Sequence, residues 1–185
     1  MTNTAEKLLF SAEDFLQWED QQLEKHEFMQ GEVFAMGGAR REHVVVAGNV
    51  FALLKQHLRS TPCQAYIADM KLRVEKLDAF FYPDVMVSCH ADDRQAEQYL
   101  LYPTVIIEVL SDSTEAYDRG AKFAAYRLLP SLKEYVLVEI KAQRLEIFRR
   151  TDNDDWLLHV CEASENVFLT SLEVNFNLVD VFEGI

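Results

Sequence analysis

Proline and glycine are scarce in this chain, at 4 and 6 of 185 residues. No Gly-, Pro- or Ser-rich tract is present to act as a linker, and no internal repeat is visible. Length and a 49% hydrophobic content then fit one full core, so a single domain over 1–185 is expected. Cysteine is equally sparse. Cys63, Cys89 and Cys161 are odd in number and form no C-x-x-C, which speaks against a structural zinc site. They are expected as free, buried thiols in a reducing compartment. Long apolar runs are missing too. The longest, Val44 to Leu54, is interrupted by Gly48 and Asn49 and is too short to span a bilayer. Residues Met1 to Lys7 lack the basic and apolar regions of a signal peptide. A soluble, cytoplasmic protein with no membrane partner is therefore expected. Basic charge is the last shortage, with 18 Lys+Arg against 31 Asp+Glu and a formal charge of -13. Polyanion ligands normally meet a basic footprint, so weak non-specific DNA binding follows. A divalent cation or a local basic patch can still invert the field at one site.

What is present is a readable order of elements. Ser11-Ala12-Glu13-Asp14 starts a short helix, with Ser11 as N-cap and Asp14 as the capping-box acid. His26 to Met29 and Val33 to Met36 flank a turn at Gln30-Gly31-Glu32, which predicts a hairpin. Glu42 to Arg59 has helical periodicity and stops before Pro62. Strand segments follow in Gln64 to Val74 and Phe80 to Ser88, then a turn or loop in Ala91 to Leu101. Pro103 to Leu110 is apolar except for Glu108, as in a strand buried on both faces. A helix from about Ala116 to Leu129 precedes strands at Glu134 to Ile140, Leu145 to Arg150 and Trp156 to Ala163, with short elements to Phe182. The mixture predicts an α/β (α+β) fold, a central mixed sheet flanked by helices. The unit from Pro103 to Glu139 should be a parallel crossover.

Two acids stand out in this frame. Asp84 sits in Tyr82-Pro83-Asp84-Val85 and Glu108 in Ile106-Ile107-Glu108-Val109, both at the ends of expected neighbouring strands. An ionised group among apolar residues is costly unless paired or bound to a cation. Two such carboxylates on one sheet face would repel, unless a cation neutralises them. Oxygen ligands without a His/Cys cluster favour Mg²⁺ or Mn²⁺. Asp118, Lys122 and Tyr126 share one face of the following helix, and the Lys122 ammonium could stabilise charge developing on phosphorus. Asp69 and Lys71 form a second pair with like facing, and Glu27 could add a carboxylate from the hairpin. Each has a plain structural alternative: a strand-end turn for Asp84, a wet ion pair for Lys122 with Asp118, a turn cap for Ser111. His43, at the head of the long helix, reads as a surface or capping residue. His57, His90 and His159 show no ligand spacing, and Ser111 lacks a G-x-S-x-G setting.

The ordered set of motifs resembles a known family. Tyr82-Pro83-Asp84-Val85, Ile107-Glu108-Val109-Leu110-Ser111, Asp118, Lys122, Tyr126 and Glu134-Tyr135-Val136-Leu137-Val138 are similar to the Uma-two family of bacterial endonucleases. The resemblance includes His26 to Glu32, Glu42-His43 and Asp69 to Val74, and covers roughly 11 to 182. It implies a restriction-endonuclease-like fold of the PD-(D/E)XK superfamily, which uses an Asp, an acidic-x-Lys strand and Mg²⁺. Asp84 then matches the first acid, Glu108 the second and Glu27 the N-terminal acid. The chain departs from the pattern at Leu110, where the superfamily has its lysine. The resemblance implies Lys122 as replacement, with Lys71 as second choice, and Tyr126, Ser111, Asp118 and Asp69 as supporting residues.

Three functions are compatible with this sequence. One is Mg²⁺- or Mn²⁺-dependent hydrolysis of DNA, with Asp84, Glu108 and Glu27 on the metal and Lys122 at the reacting phosphate. Another is a non-catalytic interaction module on a nuclease-like scaffold, possible as a homodimer, which the acidic charge suits as well. The third is hydrolysis of a smaller phosphorylated substrate.

Overall fold

The computed structural model describes residues 10–162 and 165–185. Residues 1–7, whose lack of a leader pattern was noted above, lie outside the described residues, as does position 163, the expected end of the strand from Trp156.

Helix α1 (Ala12–Glu19) begins as its sequence predicts. The Ser11 hydroxyl accepts the Asp14 N–H, and the Asp14 carboxylate accepts the Ser11 N–H in return. Strands β1 (His26–Met29) and β2 (Glu32–Ala35) form the expected hairpin. Its turn needs positive φ at two successive residues, supplied by Gln30 (51°) and Gly31 (87°). The long helix α2 (Arg41–His57) follows, its buried stripe made by Val46, Ala47, Val50 and Leu54. Then come β3 (Gln64–Ile67), β4 (Lys71–Val74), β5 (Ala79–Phe81), β6 (Val85–Ser88), β7 (Tyr99–Leu100) and β8 (Pro103–Val109).

The expected single helix after β8 is instead three contiguous pieces: α3 (Glu115–Tyr117), a π-helical turn (Asp118–Lys122) and α4 (Phe123–Tyr126). A π turn widens the helix locally, and such turns are frequent at functional sites. Both ends of this one, Asp118 and Lys122, are buried. The chain ends with β9 (Glu134–Glu139), β10 (Arg144–Arg150), β11 (Trp156–Cys161), β12 (Asn166–Leu169), β13 (Val174–Asn177) and α5 (Leu178–Val181).

The strands fall into a six-stranded sheet, β11-β10-β9-β8-β6-β3, a five-stranded sheet, β2-β1-β5-β4-β7, and the β12–β13 hairpin. Both larger sheets are mixed: β8 runs parallel to β9, and β4 to β7, among antiparallel neighbours. The β8-to-β9 unit is thus the parallel pair that the sequence predicts.

Three cores hold these layers. On one face of the six-stranded sheet, Val85, Val87, Val105, Ile107 and Val109 pack under α2 and the C-terminal hairpin. On the other, Met86, Ile106, Leu110, Tyr135 and Leu137 meet Leu72, Val74 and Phe81 of the five-stranded sheet and Tyr126 of α4. Phe15, Phe28 and Phe80 stack α1 on the outer face of the five-stranded sheet. Strand alternation therefore assigns even positions of β8 to the core between the sheets. Glu108 falls in that series, between Ile106 and Leu110.

One expectation from the sequence fails here. Cys63 and Cys89 are disulfide-bonded, with Cα atoms 3.9 Å apart, and only Cys161 among the three is free and buried. Strands β3 and β6 pair antiparallel with Gln64 opposite Ser88, so the next pair outward is Cys63 and Cys89. An odd count of cysteines carries no information about that register. The cysteines thus give no argument for a reducing compartment. No helix among the described residues is long and apolar enough to cross a membrane.

Candidate active site

The site grows from a single strand pairing. Val85 of β6 lies opposite Ile107 of β8, so Asp84 and Glu108 stand one residue further along. Each carboxylate takes a backbone donor from the other's strand. Asp84 Oδ2 accepts the Val109 N–H at 2.8 Å, and Glu108 Oε2 accepts the Asp84 N–H at 3.2 Å. This reciprocal clasp brings two acids, 24 residues apart in the chain, to one end of the sheet.

Glu108 is 2% exposed, and its other oxygen is fully engaged. Oε1 accepts the Tyr126 hydroxyl at 2.8 Å and Lys122 Nζ at 3.1 Å. Lys122 Nζ also lies 3.2 Å from Glu27 Oε1 and 3.6 Å from Asp118 Oδ1. Of these three contacts the one with Glu108 is a hydrogen bond; those with Glu27 and Asp118 are ion pairs without one. Glu27 is oriented from the far side by the Tyr117 hydroxyl at 3.3 Å. Tyr135 donates to the Asp118 carbonyl at 2.9 Å and so fixes the π turn to β9.

This crowding holds protons. Burial pushes the Glu108 carboxyl up to about 8, against the pull of Lys122 and with the repulsion of Asp84 and Asp118. Burial likewise raises Asp118. For Lys122, burial pulls its pKa down, but Glu108, Glu27 and Asp118 outweigh it, so the amine stays firmly charged. The acids rise chiefly because they are buried, and the base rises because acids surround it. Burial drives the Tyr126 and Tyr117 hydroxyls up as well, which keeps them as donors.

The sequence argument missed one member. His43, in the first turn of α2, places Nε2 3.1 Å from Asp84 Oδ2. Burial pulls its pKa down, but its bond to Asp84, the nearby Glu108 and a contact with the Val109 backbone hold it above the ordinary imidazole value. The only sequence signal was Glu42-His43 among the family-like motifs, and the position at a helix head suggested a cap.

Other expected members lie elsewhere. Lys71 pairs with Asp20 at 3.7 Å and sits over the Tyr82 ring, and Asp69 pairs with Lys25 at 2.7 Å. Neither joins the carboxylates. Asp69 falls in the turn between β3 and β4 and Lys71 opens β4, so the two do not share one strand face. Lys71 is thereby removed as the alternative lysine of this cluster. Ser111 bonds to Ser113 and Thr114 and serves as a turn cap. Two surface grooves lie away from the cluster: one is lined by Arg144, Glu162, Phe182 and Glu183, the other by Phe51, Lys55, Tyr66 and Met70. Asp84 and His43 are partly exposed members of the cluster, with side chains 24% and 18% exposed.

The donor set decides whether a metal fits. Among the described residues, no three His, Cys, Asp or Glu side chains converge as an all-protein cage would require. Glu27 faces Lys122 and Tyr117, and its buried Oε1 has no hydrogen-bond partner among the described residues. Asp84 Oδ1 has no protein hydrogen bond among the described residues, and Glu108 Oε2 has only the Asp84 N–H. Mg²⁺ commonly takes one or two carboxylates and completes its shell with water and phosphate oxygen. The pair fits that mode, and three acids around Lys122, with Asp84 next to Glu108, leave excess negative charge for a dication.

The fold is α+β, with mixed sheets flanked by helices. The chain belongs to the Uma2 family, whose model, described as "Putative restriction endonuclease", matches residues 12–179. It is 37% identical over 175 residues to "Uncharacterized protein slr1290" of Synechocystis sp., covering 95% of this chain and 92% of the relative. A second Synechocystis relative, "Uncharacterized protein sll1609", is 33% identical over 152 residues, covering 81% and 86%. A crystal structure from Anabaena variabilis, described as "a putative nuclease belonging to DUF820", has the same fold. It aligns with a TM-score of 0.76 over 94% of this chain and 97% of that one, at 14% identity.

Proposed function

We propose that this protein is a Mg²⁺- or Mn²⁺-dependent endonuclease that hydrolyses DNA phosphodiester bonds at the Asp84–Glu108 cluster. The single observation carrying this is the clasp of two carboxylates at a sheet end beside a buried ammonium, in which, among the described residues, Asp84 Oδ1 has no protein hydrogen bond and Glu108 Oε2 has only the Asp84 N–H. Family membership supports the reaction class. In the reaction, water oxygen joins phosphorus, a P–O ester bond breaks, and the leaving oxygen gains the proton that water gives up.

Asp84 Oδ1 and Glu108 Oε2 would hold the metal. When bound, a dication supplies Lewis acidity to the phosphoryl oxygens and a more acidic water. Lys122, fixed in its charged form, is no general base. It anchors Glu108 and offers positive charge beside the developing phosphorane. Its longest pairing, 3.6 Å to Asp118, is the one that would yield to a phosphate oxygen or water. Glu27 and Tyr117 hold the amine from behind, and Tyr126 fixes the Glu108 rotamer.

The test is a plasmid cleavage assay with Mg²⁺, Mn²⁺ or EDTA, on wild type, Asp84→Asn and Glu108→Gln. Cleavage should require the metal, and each variant should lose about 100-fold or more, beyond the usual loss for residues that only support a ligand. Equal cleavage in EDTA, or undiminished cleavage by both variants, would refute the assignment. Failure to cut any nucleic acid, with no metal binding by calorimetry, would favour the interaction module instead. The full engagement of Lys122 and the charge of -13 are what favour that second reading.

A further inference from the structure

We infer that His43 is a positioning residue for the candidate active site: it pins Asp84 Oδ2 so that Oδ1 faces the open side of the cluster. This rests on the metal-site assignment above and adds to it a residue from a different layer of the fold. A carboxylate on a short side chain can rotate about its last bond and exchange its two oxygens. At Asp84 that exchange is opposed by two groups on the same oxygen: the Val109 N–H donates at 2.8 Å, and His43 Nε2 stands 3.1 Å away as an ion-pair partner. The backbone donor alone sets a distance. The imidazole, arriving from helix α2, adds a second direction and so fixes the plane.

The helix that carries His43 is itself anchored. Asn49 donates to the Val181 and Glu183 carbonyls at 3.1 and 2.9 Å, and Arg41 donates to the Gly184 carbonyl at 2.9 Å. These bonds tie the first half of α2 to the C-terminal turn. Val46 and Val50 bury the same stretch against the six-stranded sheet. The first turn of α2 is thus held from two sides, and an imidazole on it stands at a set height over Asp84. No ordinary capping need explains the residue, because the N-cap position is Arg40 and no side chain caps the helix. Groups that orient a ligating side chain typically contribute 10–100-fold in metal affinity.

The test uses Mn²⁺ titration by calorimetry on the full chain, with Asp84→Asn as reference and His43→Leu and His43→Gln as probes. Gln can offer an amide donor near the position of Nε2, whereas Leu fills space without one. Wild type should bind Mn²⁺ and Asp84→Asn should not. His43→Leu should weaken Mn²⁺ about tenfold or more, and His43→Gln should recover most of that. Thermal melting should stay close to wild type for both. If Leu fails to fold, His43→Ser against His43→Gln gives the same contrast. Equal Mn²⁺ affinity in wild type and the donor-less variant, with Asp84→Asn inactive in binding, overturns the role of His43 and leaves the metal assignment standing. No Mn²⁺ binding by folded wild type overturns both.

Discussion

Lys122→Met removes one charge from the most crowded part of the molecule and keeps the apolar stem. Lys122 is 7% exposed, and the acids it meets, Glu27, Glu108 and Asp118, are 8%, 2% and 3% exposed. Gross attraction is about 4 kcal/mol per close pair at an effective dielectric near 20. That sum overstates the effect, because burying the ammonium cost several kcal/mol and the acids can take up protons. Protonation sets the ceiling. Glu108 already stands at about 8, so it accepts a proton near neutrality almost freely. A second acid must then be neutralised, and for Asp118 the reference is its ordinary value of 3.8. Because burial raises Asp118 above that value, at about 1.4 kcal/mol per pH unit this costs at most about 6 kcal/mol at about pH 8, and at most about 2 at about pH 5. The sign follows from the shifts. Carboxyls raised in the folded state bind protons more tightly there than when unfolded, so stability falls as pH rises toward about 8. Lys122 stays charged in both states over that range and adds no slope of its own. Urea unfolding followed by circular dichroism, in EDTA, should give a loss of about 4 kcal/mol at about pH 8 and about 2 or less at about pH 5. A loss below about 1 kcal/mol at both pH values would refute the picture of a dry, over-acidic cluster.

Two further outcomes follow from other parts of the fold. Glu134, 1% exposed on β9, accepts the Arg149 Nε–H at 3.0 Å and the Thr170 and Ser171 N–H groups at 3.2 and 3.0 Å. Glu134→Ala leaves an arginine and two turn amides without their acceptor and should cost about 3–5 kcal/mol in urea unfolding. A loss under about 1 kcal/mol would show that water replaces the carboxylate. Thiol titration in denaturant should find one reactive cysteine before reduction, Cys161, and three after it. Three before reduction would exclude the Cys63–Cys89 bond.

The elements that were legible share one property: their signal is local. Ser11 and Asp14 are three residues apart and make a capping box wherever the chain goes. The periodic stripe of α2 and the Gln30-Gly31 turn are also short-range patterns. Glu108 was conspicuous because one acid inside an apolar strand violates the rule its neighbours obey. The misread parts depend on distant partners. The helix after β8 contains a π turn where Asp118, Lys122 and the Tyr135 hydroxyl meet, and nothing in residues 115–126 alone encodes β9. Asp69 and Lys71 looked like a site pair because they are two apart, yet a turn separates their facings.

The sequence by itself determined the class of fold, the family and the two acids at strand ends, because propensity, apolar period and motif order are written along the chain. Tertiary structure alone decided which groups meet those acids. It brought Lys122 between three carboxylates, set Glu27 against Lys122 and Tyr117, opposed Cys63 to Cys89 and lowered His43 onto Asp84. The reason is that strand register and helix docking fix distances between residues far apart in the chain, and a charge–charge or donor–acceptor contact exists only within a few ångströms.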